Sequence, residues 1–180
     1  PQELANSVWA FATLNERLPG GLRDAFNGCH TFSDFNTQNL ANSVWAFATL
    51  NERLPGGLRD AFNSRDTFSD FNSQNLANSV WAFATLNERL PQELMDTLKN
   101  FDFSLFNNEE KVMLKFADLY FTYVLCKPLD STIQQATSKL QCNFDARPTS
   151  IQQNINKSLQ QIGFETCLEK IIEGIIQVDI

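Results

Sequence analysis

Amide and hydroxyl side chains recur at fixed spacing along this chain, and they are the residues best suited to recognising a ligand. Their positions are Asn6, Thr13, Gln38, Asn42, Thr49, Gln74, Asn78 and Thr85. An amide offers a donor and an acceptor together, which is what contact with the edge of an unpaired base requires. One set of such side chains in each repeated segment suits contact with one unpaired base per segment. A ladder of hydrogen bonds between neighbouring segments is the alternative interpretation of the same pattern.

Basic and aromatic residues recur in the same segment. The arginines are Arg17, Arg23, Arg53, Arg59 and Arg89. Arg53 and Arg89 are candidate contacts to RNA phosphates, although neighbours such as Glu52 and Asp60 slightly favour ion pairs within one repeat. The tryptophans are Trp9, Trp45 and Trp81. They could stack on bases, but they border an apolar stripe, and this favours a place in the core.

The repetition that carries these residues predicts the fold. Residues 4–55 align with 40–91 without a gap at a shift of 36, and four positions differ: Gly28/Ser64, Cys29/Arg65, His30/Asp66 and Thr37/Ser73. A repeat of this length is typical of a solenoid, in which each unit buries its apolar face against its neighbours. None of the amide positions differs between the two copies. Either both units read the same base, or these side chains read none.

Each repeat is predicted to form two helices. Helix A covers residues 37–51, from an N-cap at Asn36 or Thr37 to a stop at Asn51. Its apolar side is predicted to consist of Leu40, Val44, Phe47 and Ala48. Helix B starts at Pro55, which suits a first turn, and its buried stripe is Leu58, Ala61 and Phe62. Phe68 and Phe71 are expected to seal one unit against the next.

The repetition stops after residue 103. An amphipathic capping helix is predicted over residues 108–127, with Asn107 or Asn108 as its N-cap. A second helix is predicted in "DSTIQQATSKLQC", a third in "TSIQQNINKSLQQIG", and a β-hairpin in the apolar runs of 165–180. The predicted units are therefore helical repeats over 1–102, capping helices over 103–145, and a distinct unit over 146–180.

Composition excludes several classes of protein. No apolar run is long enough to span a membrane, and four separated cysteines with one histidine do not form a zinc site. Unpaired thiols indicate a reducing compartment, such as a bacterial cytoplasm or an organelle. The sequence shows no nucleophile together with a general base and no phosphate-binding loop, so neither an enzyme nor a cofactor is predicted. The net charge of −7 is unusual for a nucleic-acid binder.

The segment "FNSQNLANSVWAFATLNERLP" strongly resembles the octotricopeptide repeat and the related repeats of FAST kinase-like and heptatricopeptide proteins. This resemblance covers residues 1–102 and implies RNA binding in the control of organellar or bacterial transcripts. "SIQQNINKSLQQIGF" followed by "IIEGIIQVDI" resembles the opening of a RAP domain, which has an endonuclease-like fold. Asp179 matches an acidic metal ligand of the nuclease relatives, but its partner carboxylates are absent, so catalysis is not expected.

These observations predict a mainly α protein: a right-handed solenoid of α-hairpins with a helical cap and a short terminal β-hairpin. The predicted function is single-stranded RNA binding. An acidic scaffold for protein partners is the alternative, and the RNA-targeting part of a nuclease-like RAP protein is a further one. The chain starts within a repeat and reads as a fragment, whose open edge, with Leu4, Val8 and Phe11, predicts end-to-end self-association.

Overall fold

The computed structural model of this chain describes residues 1–29, 32 and 34–140. Within them the chain is mainly helical, without a β-strand, which confirms the predicted class. The helices are α1 (Gln2–Thr13), α2 (Gly20–Asn27), α3 (Thr37–Thr49), α4 (Gly56–Asn63), α5 (Ser73–Thr85), α6 (Gln92–Lys99), α7 (Asn108–Leu119) and α8 (Ser131–Ser138). The helix, the β-hairpin and the RAP-like unit predicted after residue 145 lie outside the described residues.

The A helices are α1, α3 and α5; asparagine is the N-cap of α3 and α5, and an asparagine follows the end of all three. The side chain of Asn36 accepts a hydrogen bond from the backbone N–H of Asn39 at 2.8 Å, so Asn36 is the N-cap of α3. Asn72 caps α5 in the same way. Asn51 follows the C-cap with a φ of 52°, and Asn15 and Asn87 have nearly the same conformation. Asparagine adopts this left-handed conformation more readily than other side chains do, and this explains why each helix stops there.

The helix ends are closed by a repeated pair of backbone hydrogen bonds. After α3, the N–H of Asn51 donates to the carbonyl oxygen of Ala48 at 3.1 Å, and the N–H of Glu52 donates to that of Phe47 at 2.9 Å. These two bonds form a Schellman motif, which satisfies carbonyls that the helix itself leaves without partners. The same pair closes α1 and α5. The turn between helix A and helix B is thus set by local sequence in every copy.

The B helices are α2, α4 and α6, and each starts after a proline that serves as N-cap. Pro55 is the N-cap of α4 and not its first helical residue, which is Gly56. Leu58 and Phe62 are buried as predicted, whereas Ala61 is half-buried. Gly57 lies against the preceding unit. A Cβ there would stand 2.9 Å from the carbonyl oxygen of Cys29 and from the ring of Phe32.

The hairpins stack in two rows of helices. In the first row α1 contacts α3, α3 contacts α5, and α5 contacts α7. In the second row α2 contacts α4, and α6 contacts α8. Leu40, Val44 and Phe47 are almost fully buried. Because no single hairpin can bury such a face, the stack owes its stability to contacts between units.

Phenylalanines join one hairpin to the next, as the sequence predicts. The ring of Phe62 in helix B lies 5.7 Å from Phe68 and 6.2 Å from Phe71, which follow in the connecting segment. It also lies 5.3 Å from Phe83 in the next A helix, in an edge-to-face arrangement. The preceding unit has an equivalent cluster, with Phe26 at 5.1 Å from Phe47. Such pairs contribute about 0.5–1.5 kcal/mol each beyond their buried area.

The cap differs from the predicted single helix over 108–127. Asn107 and Glu110 form a capping box, each side chain bonding to the other residue's backbone N–H at 2.9 Å. The α-helix ends at Leu119 and continues as a π-helical turn, Tyr120–Val124. The phenolic hydroxyl of Tyr120 donates to Asn87 at 2.9 Å, which fastens this turn to the last repeat. None of the helices in the described part of the chain is long and apolar enough to cross a membrane.

Candidate nucleic-acid interface

The outer side of each A helix carries the repeated amides. At 100° per residue, Gln38, Asn42, Trp45 and Thr49 fall on one stripe, roughly opposite Leu40 and Phe47. We call this set and its equivalents in α1 and α5 the outer stripe. Gln38 and Gln74 are exposed. Asn6 and Thr13 in α1 are also exposed. These four side chains are open to a ligand.

The outer stripe becomes progressively covered towards the cap. Its asparagine is exposed at Asn6, half-buried at Asn42 and 9% exposed at Asn78. Its tryptophan is 44% exposed at Trp9 but only 2% exposed at Trp81. α3 and α5 differ only in their first residue, so the difference comes from their neighbours. α5 alone packs against α7 and the π-helical turn. The core placement predicted for tryptophan is therefore correct for Trp81 and wrong for Trp9.

The threonines of the outer stripe contribute little to a binding surface. The hydroxyl of Thr13 donates to the carbonyl of Trp9 at 2.9 Å, so it is available to a ligand only as an acceptor. The hydroxyl oxygens of Thr49 and Thr85 are buried. Three of the predicted contact residues, Thr49, Thr85 and the buried Asn78, are thus out of reach of a ligand.

A hydrogen bond between repeats does occur, but at a different amide. The side-chain nitrogen of Asn75 donates to the hydroxyl of Thr37 at 3.2 Å. Asn75 and its counterpart Asn39 are buried, whereas the adjacent Gln74 and Gln38 are exposed. Asn75 was not among the predicted residues. The sequence did contain a signal for this burial. Asn39, the counterpart of Asn75, lies on the same side of α3 as residues that face the preceding helix.

The arginines of helix B form ion pairs across repeats and not within them, which corrects the expected partners Glu52 and Asp60 of the same unit. Arg23 bonds to Glu52 of the following unit at 2.6 Å, and Arg59 bonds in the same way to Glu88. Sequence neighbours were a poor guide because the next unit lies closer in space. These pairs are partly exposed, so each contributes less than about 1 kcal/mol.

Two arginines in the turns between helices A and B, Arg53 and Arg89, remain uncompensated. Arg17 instead lies beside the exposed Glu16, which forms no ion pair with a described residue. Arg17, Arg53 and Arg89 are exposed, and none of them forms an ion pair with another described residue. Glu52 and Glu88 are already engaged by the arginines of helix B. We call the three turns, residues 14–19, 50–55 and 86–91, the A–B edge. Lys127 of the cap is exposed and lines a cleft together with Arg89, which extends the row of cations.

The segments that connect helix B to the next unit are acidic instead. A groove of about 450 Å³ lies there, lined by Asp66, Glu93 and Asp96 among other residues. Arg65 is nearby but bonds to Asp70 at 2.6 Å and lies over the rings of Phe68 and Phe71. The negative charge of the whole chain is therefore unevenly distributed, and the A–B edge lies apart from this acidic groove.

Within the described residues, no three His, Cys, Asp or Glu side chains come close enough to hold a metal ion. Asp179, the residue compared with a nuclease ligand, lies outside that part of the chain. No protein-family model, curated protein or solved structure matches this sequence.

Proposed function

We propose that this chain is a single-stranded RNA-binding module, built as a right-handed solenoid of α-hairpins related to octotricopeptide repeats. It acts by binding and not by catalysis, in the post-transcriptional control of RNA. The observation that carries the proposal is the row of exposed arginines, Arg17, Arg53 and Arg89, at one register of successive turns. Such a row is suited to successive phosphates of an extended strand.

The outer stripe supports the same proposal at the level of the bases. Gln38 and Gln74 are exposed equivalents in adjacent A helices, and each can donate and accept a hydrogen bond. Trp9 offers a partly open ring for stacking. The stripe runs along the helix towards the turn that carries the arginine. A strand with its phosphates on the A–B edge could thus direct its bases towards the glutamines.

Titration with single-stranded homopolymers at several salt concentrations tests the proposal. We expect weak binding at low salt, because few cations are involved, and a steep decline as salt increases. The double substitution Arg53→Gln and Arg89→Gln should lower the slope of log affinity against log salt by about 1.4, since each phosphate contact on a single strand contributes about 0.7.

Arg65→Gln is the matched control, because Arg65 is engaged by Asp70 near the acidic groove. Its affinity and salt slope should equal those of the parent chain. Absence of binding to every homopolymer at low salt would rule the proposal out. An effect of Arg65→Gln equal to half that of the double variant, one charge against two, would show that binding is unspecific attraction to positive charge.

A protein-binding scaffold is the second candidate, and the acidic groove favours it. Asp66, Glu93 and Asp96 line a groove of about 450 Å³ next to the apolar rings of Phe71 and Phe101. That combination suits a basic peptide with an apolar anchor. Binding of such a peptide, abolished by Asp96→Asn and unaffected by Arg53→Gln, would identify the scaffold function.

A further inference from the structure

A cleft of about 320 Å³ lies where the third repeat meets the cap. Its apolar part includes Met95 of α6 with Phe121 and Leu125 of the π-helical region. Arg89 from the last A–B turn and Lys127 from the segment before α8 also line it. An apolar wall with a few charged groups is the usual composition of a small-molecule site, and the volume is near the lower limit of about 300 Å³.

The cleft lies where the ion pair that joins successive units is absent. In the first two units, helix B places Arg23 and Arg59 against the glutamate of the next turn. Met95 occupies the equivalent position in the third unit. Lys127 stands where the next glutamate would be, because it follows the left-handed Cys126 as Glu52 follows Asn51. Met95 and Lys127 cannot form this ion pair. The third unit therefore has an apolar opening at the position where the first two units have an ion pair.

The charge around the cleft is positive. Arg89 and Lys127 are exposed, and they continue the row that begins with Arg17 and Arg53. Glu88 also lines the cleft, but its carboxylate is bonded to Arg59. A ligand that combines an aromatic ring with an anionic group would match both the apolar wall and the two cations.

We propose that this cleft binds one nucleotide, the terminal nucleotide of a bound strand or a free nucleoside monophosphate. The base would lie against Met95, Phe121 and Leu125, and its phosphate would lie between Arg89 and Lys127. The inference rests on the proposed RNA binding, since the same row of cations leads a strand into the cleft. It adds a site for the terminal nucleotide of an RNA strand to a surface that otherwise contacts the phosphates along that strand.

The two methionines of the chain allow a direct test by ¹³C-methyl NMR. Met95 lines the cleft and is half-buried, whereas Met113 is 3% exposed in the core. Uridine 5′-monophosphate should shift the methyl signal of Met95 and leave that of Met113 in place. Uridine, which lacks the phosphate, should bind about tenfold more weakly, as expected for the loss of one charge-assisted contact.

Substitutions locate the binding site. Lys127→Gln should weaken binding of uridine 5′-monophosphate about tenfold, and Lys139→Gln, at an exposed lysine after α8, should not change it. Met95→Glu places a carboxylate in the cleft, and this charge repels the phosphate. Binding to this variant, measured by calorimetry, should be lost, and binding to Met95→Leu should persist.

The outcomes separate this inference from the proposed function. If an octamer of uridine binds but the Met95 signal does not move, the nucleotide site is refuted and RNA binding stands. If the monophosphate moves Met95 while no oligomer binds, the site stands and the proposed function fails. If an acidic peptide shifts Met95 and the monophosphate does not, the cleft is a protein-docking site and the inference is overturned.

Discussion

Identical residues of this chain have different environments in successive repeats. Trp9 is 44% exposed and Trp81 is 2% exposed, although each lies in the same "ANSVWAFAT" sequence. The role of a residue therefore depends on which units flank it. In the first unit an indole ring is available to a ligand, whereas in the third it contributes to the core. For this reason the exposed copies, and not the repeat as a whole, define the candidate interface.

At the same scale, Asp118 in the cap makes a testable contribution to stability. Burial raises the pKa of its carboxyl group, and hydrogen bonds from Thr137 and Gln134 oppose that rise. Because the pKa is raised in the folded state, protonation favours folding. The contribution of Asp118 to stability is present below its unfolded pKa and is lost as the pH rises through the folded pKa.

The variant Asp118→Asn should therefore melt about 2 °C higher than the parent at pH 7.5. Asparagine carries no charge, and its oxygen can still accept from the hydroxyl of Thr137, which lies 2.6 Å from Asp118. The difference should shrink towards pH 4, where Asp118 itself becomes protonated. Thermal melting at both pH values measures it. A melting temperature that falls equally at both values would mean that the hydrogen bond, and not the charge, is decisive.

At the scale of the element, the α-hairpin is a local structure whose helix B depends on its neighbours. Helix A has an asparagine N-cap in α3 and α5 and ends at an asparagine in all three copies. Helix B has only eight residues in each copy, and its proline N-caps make no side-chain hydrogen bond. Two glycines in the first turn weaken it further in α2 and α4. Burial of residues such as Leu58 and Phe62 against other elements is what holds helix B in place.

The second glycine of helix B tests this dependence on neighbouring units, because α2 and α4 have identical sequences. Gly57→Ala should destabilise the chain by about 1–2 kcal/mol, because its Cβ would stand 2.9 Å from Cys29 and Phe32 of the preceding unit. Gly21→Ala should stabilise it by about 0.5 kcal/mol, because no atoms lie within 4 Å of that Cβ. Denaturant unfolding of both variants provides the comparison. Equal effects would show that the close approach of neighbouring units at Gly57 is absent in solution.

At the scale of the whole molecule, the edges of the stack differ in charge and its first helix has an open face. The predicted edge residues Leu4, Val8 and Phe11 are not that face: Val8 is fully buried, and the other two pack against the core. The open residues are Glu3, Ser7, Ala10 and Leu14. Their counterparts Asn39, Ser43 and Ala46 in α3 are buried. The face of α1 is therefore of the kind that another A helix covers.

For a chain of these 180 residues, this face predicts weak, concentration-dependent self-association, with α1 helices paired about a two-fold axis. Leu14, which is 71% exposed, would be central, and the small residues Ser7 and Ala10 would let the helices approach closely. Leu14→Glu should abolish association in sedimentation velocity experiments. Leu105→Glu, at a leucine 63% exposed near the cap, should have no effect. The reverse result would assign association to the other end of the stack.

Much of the fold could be predicted from the sequence, because it depends on nearby residues. The apolar spacing predicted the A helices, Asn36 and Asn51 marked the ends of α3, and Phe68 and Phe71 were expected between units. The candidate site was predicted less well. The partners Glu52 and Glu88 of the helix-B arginines, the Asn75 to Thr37 bond and the burial of Asn78 all involve residues about thirty or more positions apart. Their proximity is decided by how the hairpins stack.

For the repeats, the sequence by itself determined where helices form and which side of each is most apolar, since capping, turn conformation and periodicity act over a few residues. The tertiary structure alone decided which copies of the outer stripe face solvent, and which arginines remain uncompensated. Identical sequences cannot encode such differences locally. They arise because each unit is covered by a different neighbour: a further repeat follows α3, and the cap packs on α5.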